Sequence, residues 1–141
     1  MKAFIISIAI FICTLPFIYR NVLGGSIIDT KHNLSVTGPG PIKSTTEEQI
    51  CIFCHTPHNA RRDIPYLWNR TDTTVNYIPY QSSTLYAAVG QPTGASKLCL
   101  SCHDGTIALG AILSEPQEIP FAGGIRFMPE GPTKLGTDLS D

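Results

Sequence analysis

Beyond its first two dozen residues the sequence has no long apolar run, and so lacks the material for a large protein core. Eleven prolines and twelve glycines among 141 residues break the remainder into short pieces. A single domain of this length buries a modest share of its surface and often relies on a cofactor for stability. Charge is scarce too: Lys, Arg, Asp and Glu make up 15% of the chain and sum to −1, which leaves no basic face for nucleic acid. Of five cysteines, Cys13 falls in the N-terminal apolar stretch and the other four fall in two short motifs, so none is left over for a disulfide framework. Histidine is limited to four positions.

Three of those histidines and four cysteines are grouped, and His32 stands apart. Cys51-Ile52-Phe53-Cys54-His55-Thr56-Pro57-His58 is one such stretch, and Cys99-Leu100-Ser101-Cys102-His103 repeats its core 48 positions later. Two cysteines separated by two residues and followed at once by histidine form the attachment signature of a c-type haem. The cysteines add across the porphyrin vinyl groups as thioethers, and the histidine becomes the proximal iron ligand. Cys51, Cys54, Cys99 and Cys102 are therefore candidate attachment points for two haem c groups, with His55 and His103 as proximal ligands. Two such groups would offer broad apolar faces to the sparse Leu, Ile, Tyr and Phe residues, and the cofactor is expected to act as the core.

Ahead of the motifs, Met1-Lys2 and the apolar run from Ala3 to Phe17 match the basic and hydrophobic regions of a secretory signal. Gly24, Gly25 and Ser26 offer a cleavage point, giving an expected signal peptide over 1–25 and a dihaem cytochrome c domain over 26–141. Tyr19 and Arg20 stand between the run and the glycines, so an uncleaved membrane anchor is the alternative, although the run is short for a full span. Loss of Lys2 and Arg20 with the leader takes the formal charge from −1 to −3. Export to the periplasm or the outer surface suits the chemistry, because bacteria attach c-type haem outside the cytoplasm.

Regular structure is expected to be sparse. Thr37-Gly38-Pro39-Gly40-Pro41 can be neither helix nor central strand. Thr45-Thr46-Glu47-Glu48-Gln49 has the caps and acids of a helix start leading into Cys51. Thr73 to Ile78 has β-branched residues for a short edge strand before Pro79. Ser82 to Val89 suits two helical turns, Ser96 is placed to cap a helix running through His103, and Thr106 to Leu113 could resume it. From Ser114 onward proline and glycine forbid long regular elements. The chain stops at Asp141 without a closing element, which raises the expectation of a longer multihaem chain. The fold class expected is a mostly irregular, haem-centred cytochrome with a few short α-helices and little or no β-sheet.

Each iron needs a sixth ligand or stays open. With His55 and His103 proximal, His32 and His58 are the two spare histidines for two positions, which points to bis-histidine ligation. Opposed ligands hold their nitrogens roughly 4 Å apart, given metal–imidazole bonds of about 2 Å. Three residues span at most roughly 10–11 Å, and the path from His55 to His58 would have to round a haem edge. His58 is thus expected on the second haem and, by elimination, His32 on the first. Met128 is an alternative ligand that would raise the potential. Arg61, Arg62 and Arg70 could pair with haem propionates, and Tyr66 and Trp68 suit packing against a haem face. The rivals are a structural zinc module built from the two CxxC pairs and a haem enzyme or sensor with one five-coordinate iron, for which no distal acid–base group stands out.

With these residues in view, the sequence resembles the bacterial multihaem c-type cytochromes of the doubled-CxxCH kind, which include secreted electron-transfer members. The resemblance is carried by Lys31-His32-Asn33-Leu34-Ser35, by Cys51 through Asn59, by Leu67-Trp68-Asn69-Arg70 and by Ser96 through Thr106. It implies haem at Cys51, Cys54, Cys99 and Cys102, axial roles for His55 and His103, and distal roles for His32 and His58. The expected function is electron transfer in respiration or extracellular electron transfer, not enzymatic turnover. Expected partners are redox proteins, other cytochromes or further copies of the chain, with membrane contact only through an uncleaved N-terminal segment. Such families often carry four or more haems, and this chain has motifs for two.

Overall fold

The computed structural model describes residues 25–140, so the expected leader lies outside the described residues except for Gly25. Among the described residues no helix is long and apolar enough to cross a membrane. One α-helix, α1 (Gly94–His103), and three single turns of 3-10 helix at Ile27–Asp29, Cys51–Phe53 and Ala122–Gly124 are the helical elements described. Strand pairing is confined to isolated bridges, Ser44–Phe121 and His55–Trp68 antiparallel and Ile78–Asp138 parallel. The chain is mostly irregular with little sheet, as its proline and glycine content implies.

Helix α1 begins two residues before Ser96, with Thr93 in extended conformation as its N-cap, and closes at Asp104, whose N–H donates to the Leu100 carbonyl. Leu100 and Ser101 are buried, and Cys99 and Cys102, three residues apart, lie one turn from each other on the helix surface. Asp104 then turns the chain out through Gly105, whose φ of +75° belongs to the left-handed region that glycine enters without strain. The matching helix expected before Cys51 does not form. Ser44 Oγ instead accepts the N–H groups of Thr46 and Glu47 at 3.1 and 2.9 Å, and the Glu47 carbonyl accepts Val36 N–H at 2.8 Å. The serine bonds are those of an N-cap, but the Glu47 carbonyl that a helix would give to Cys51 N–H is taken by Val36, so the turn does not propagate.

Two further expected helices are turns for the same kind of reason. Between Ser82 and Val89 a single Leu85 N–H to Ser82 carbonyl bond closes one turn. Over 106–113, Leu109 N–H donates to Arg126 and Leu113 N–H to Asn69, so the backbone is tied to distant segments rather than to its own preceding turn. The expected edge strand at 73–78 is reduced to the Ile78 bridge.

The protein part of the core was not evident from periodicity. Phe53, Leu109, Ile112, Ile119, Phe121 and Met128 form one buried cluster, and Cys54 and Cys102 pack against it. Phe53 and Phe121 meet edge to face, with ring centres 5.8 Å apart. Gly110 lets the 109–121 hairpin-like return close on itself: a Cβ there would sit 2.0 Å from the Ile119 carbonyl oxygen. Residue 53 lies inside the first CxxC and the rest of the cluster follows the second, so both motifs rest on the same apolar floor.

Candidate functional site

The two motif histidines are held by one device used twice. His55 Nδ1 lies 2.7 Å from the Tyr66 carbonyl oxygen, and His103 Nδ1 lies 2.6 Å from the Thr133 carbonyl oxygen. A carbonyl only accepts, so each Nδ1 carries the proton and each Nε2 presents a lone pair. This is the tautomer and outer-shell arrangement of a metal-ligating imidazole. The holding segments are themselves pinned. Leu135 N–H donates to the His103 carbonyl at 2.7 Å, Thr56 N–H to the Leu67 carbonyl at 2.9 Å, and Trp68 stands edge-on to His55 with ring centres 5.9 Å apart.

Tyr66 and Leu67 both have left-handed backbone, with φ of 70° and 56°. Consecutive non-glycine residues in this region carry strain of about 1–2 kcal/mol each. The strained turn aims the Tyr66 carbonyl at His55 and the Leu67 carbonyl at Thr56, so it sets the ring of the first motif. Nothing in the residue types of Tyr66 or Thr133 signals this role, because the group that acts is the backbone carbonyl.

The second spare ligand position is where structure and expectation part. His32 was expected opposite His55; its ring instead lies against His103, with ring centres 6.2 Å apart and planes at 74°. Two imidazoles bound across one metal at about 2 Å hold their ring centres about 6 Å apart. The loop carrying His32 is fixed by a buried polar knot. Asn33 Nδ2 donates to the Ile28 carbonyl at 3.0 Å and Asn33 Oδ1 accepts Ser35 Oγ–H at 2.7 Å, with both residues fully buried. His58 stays on the His55 loop, where it lines a cavity with Cys51 and His55, and Thr56 Oγ1 both donates to its carbonyl and accepts its N–H.

Among the described residues no two cysteines are joined by a disulfide; Cys51 and Cys99 are exposed, and Cys54 and Cys102 are half-buried. Burial pushes the Cys54 thiol up to about 11, with the nearby Cys102 adding to the rise, and burial also raises Cys102. That environment favours a neutral sulfur such as a thioether over a charged thiolate. No group of three or more His, Cys, Asp or Glu side chains is gathered to hold a metal ion among the described residues, so the four-thiolate cluster that a zinc module needs is not formed there. Met128, the other candidate ligand, is buried in the core with its sulfur accepting the Thr133 hydroxyl at 3.6 Å.

Apolar surface lies open beside both motifs. A cavity of about 470 Å³ beside Cys99 is lined by Tyr80, Val89, Leu100 and Leu135, and one of about 460 Å³ flanks Cys51 and His55. Both fall in the roughly 300–1,000 Å³ range of small-molecule sites. Tyr66 and Leu67 are exposed next to the first motif, as are Ile27 and Ile28 next to His32. The donor set, the tautomers and these apolar walls fit haem c. Of the arginines expected near propionates, Arg61 pairs with Asp63 and Asp72, Arg62 is exposed, and Arg70 is fully buried with protein acceptors.

Behind α1, the buried Asp104 carboxylate accepts the Tyr77 hydroxyl at 2.6 Å and the Thr106 N–H and hydroxyl at 2.8 and 2.9 Å. Burial and this bond push Tyr77 up to about 12 from its ordinary 10. A phenol raised on folding contributes stability that is complete below its unfolded value and lost as pH climbs through the folded one. Thermal stability of the wild type should therefore fall between pH 10 and 12. Tyr77→Phe should lack that alkaline decline and melt earlier at neutral pH, by about 1.5–3 kcal/mol. Parallel decline of both proteins would remove Tyr77 from the account.

Comparison with models of known protein families gave no match, and no curated protein matches the chain at a significant level.

Proposed function

We propose that this chain is an exported electron carrier with two covalently attached haem c groups. The observation that carries the reading is the pair of Nδ1–carbonyl bonds at 2.7 and 2.6 Å, which leave His55 and His103 each with a free Nε2 directly after a CxxC pair. Haem c supplies a one-electron Fe(III)/Fe(II) couple, and the protein supplies ligation, insulation and orientation. Cys51 and Cys54 would anchor the first group with His55 as proximal ligand, and Cys99 and Cys102 the second with His103. The His32 ring, 6.2 Å from that of His103, supports a bis-histidine second haem. Cys54 and Cys102 rest on one apolar cluster, which supports short-range electron exchange between the two groups. Redox proteins or further cytochromes are the partners this chemistry calls for.

One observation favours a second reading for the first haem alone. With His32 beside His103, His58 is the remaining histidine, and it sits three residues from His55 on the same loop. Three residues reach at most roughly 10–11 Å, too short a path around a porphyrin edge. The first iron would then have a position free for a small ligand. Carbon monoxide added to the reduced protein separates the readings. Uptake of one equivalent supports an open first haem beside a closed second one, no uptake supports two closed carriers, and two equivalents would refute the His32–His103 pair.

A further inference from the structure

We propose that Arg70 is a buried charge shared by the two haem sites, bonded to the second attachment loop and held beside the first through its neighbour Asn69, and that it raises the reduction potentials of both haems. This rests on the haem-binding reading above. Wild-type protein without covalent haem would defeat that reading, whereas haem-loaded protein indifferent to Arg70 would defeat this inference alone.

Asn69 and Arg70 are both fully buried, and between them they touch both motifs. Asn69 N–H donates to the Cys54 carbonyl at 2.8 Å and its Nδ2 to the Ile52 carbonyl at 2.6 Å, both within the first CxxCH. Arg70 Nε donates to Ser101 Oγ at 3.2 Å and Nη2 to the Ser101 carbonyl at 3.0 Å, between Cys99 and Cys102. Its remaining bonds go to the carbonyls of Leu109 at 2.8 Å and Ala108 at 3.0 Å. Every acceptor is neutral, and among the described residues no carboxylate forms an ion pair with it. The buried Asp104 is engaged by Tyr77 and Thr106 instead.

A guanidinium withdrawn from water and met only by dipoles is weakly screened. It stands between the two attachment points: its guanidinium bonds Ser101 inside the second motif, and its chain neighbour Asn69 bonds Cys54 and Ile52 of the first. Reduction adds a negative charge at either iron, and a fixed cation nearby favours the reduced form. For a separation of roughly 10 Å and an effective dielectric constant of about 20, the ratio of reduced to oxidised haem shifts about tenfold, or about 59 mV for one electron.

The test is spectroelectrochemical titration of the haem-loaded full chain as wild type, Arg70→Met, Arg70→Gln and Arg70→Lys. Both midpoint potentials should fall by about 59 mV in the two neutral variants and stay near wild type in the lysine variant. A packing role alone would not sort the variants by charge. If neither neutral variant matures with two haems, the lysine variant decides: wild-type potentials support the inference. Lysine potentials displaced downward, or a lysine variant that also fails to hold haem, overturn it. Neutral variants with unchanged potentials, or with only one haem moved, overturn it too.

Discussion

Matured in a host that attaches haem c, a chain carrying Cys99→Ala and Cys102→Ala is expected to hold one haem in place of two and to lose about half the haem absorbance. The second motif sits on α1, where positions three apart share a side of the helix, so both sulfurs are placed to reach one cofactor. Without that cofactor His103 keeps its Thr133 bond and the His32 loop keeps its Asn33–Ser35 knot, so the expected loss is in apolar cover. Tyr80, Val89 and Leu135 are each about half exposed around the neighbouring cavity, at 47%, 46% and 53%. Covering the open half of such side chains stabilises by about 1 kcal/mol each, so the single-haem chain should be less stable by about 3 kcal/mol. Haem stoichiometry by absorbance and urea unfolding of the two chains check both statements. Retention of two haems would show that attachment does not use these thiols.

Replacing His32 with alanine is expected to turn the second haem from low-spin to high-spin and open it to carbon monoxide. The cleanest background is Cys51→Ala with Cys54→Ala, in which the second haem alone remains. There the parent should be six-coordinate and unreactive, the His32→Ala chain should bind carbon monoxide, and His58→Ala should leave the spectrum unchanged. The prediction follows from the 6.2 Å spacing of the His32 and His103 rings and from the buried Asn33–Ser35 knot that fixes the loop. Conversion by His58→Ala instead would restore the pairing that chain length alone suggests and would remove the geometric basis of ours.

The candidate attachment residues stand out in the sequence because haem attachment would dictate their spacing: two sulfurs must reach two vinyl groups, and the histidine must follow at once. The lack of regular structure was legible from proline and glycine. What escaped is carried by groups with no side-chain signal or by long-range ties. The carbonyls of Tyr66 and Thr133 orient the His55 and His103 rings, yet any residue type offers a carbonyl. The helix expected before Cys51 is overridden by a bond from Val36 to the Glu47 carbonyl that local propensity does not register. The core from Leu109 to Met128 has no helical or strand period, because irregular backbone presents its apolar side chains at uneven intervals. The two motifs meet through Phe53 on the shared cluster and through Asn69 and Arg70 between the loops, ties that no local pattern announces.

These details all presuppose that porphyrin is bonded to the polypeptide at Cys51, Cys54, Cys99 and Cys102. Extraction of the mature protein with acidified acetone, followed by intact mass measurement, addresses that directly. The polypeptide should retain the mass of two haems through extraction; a mass equal to the bare chain would contradict the account at its root.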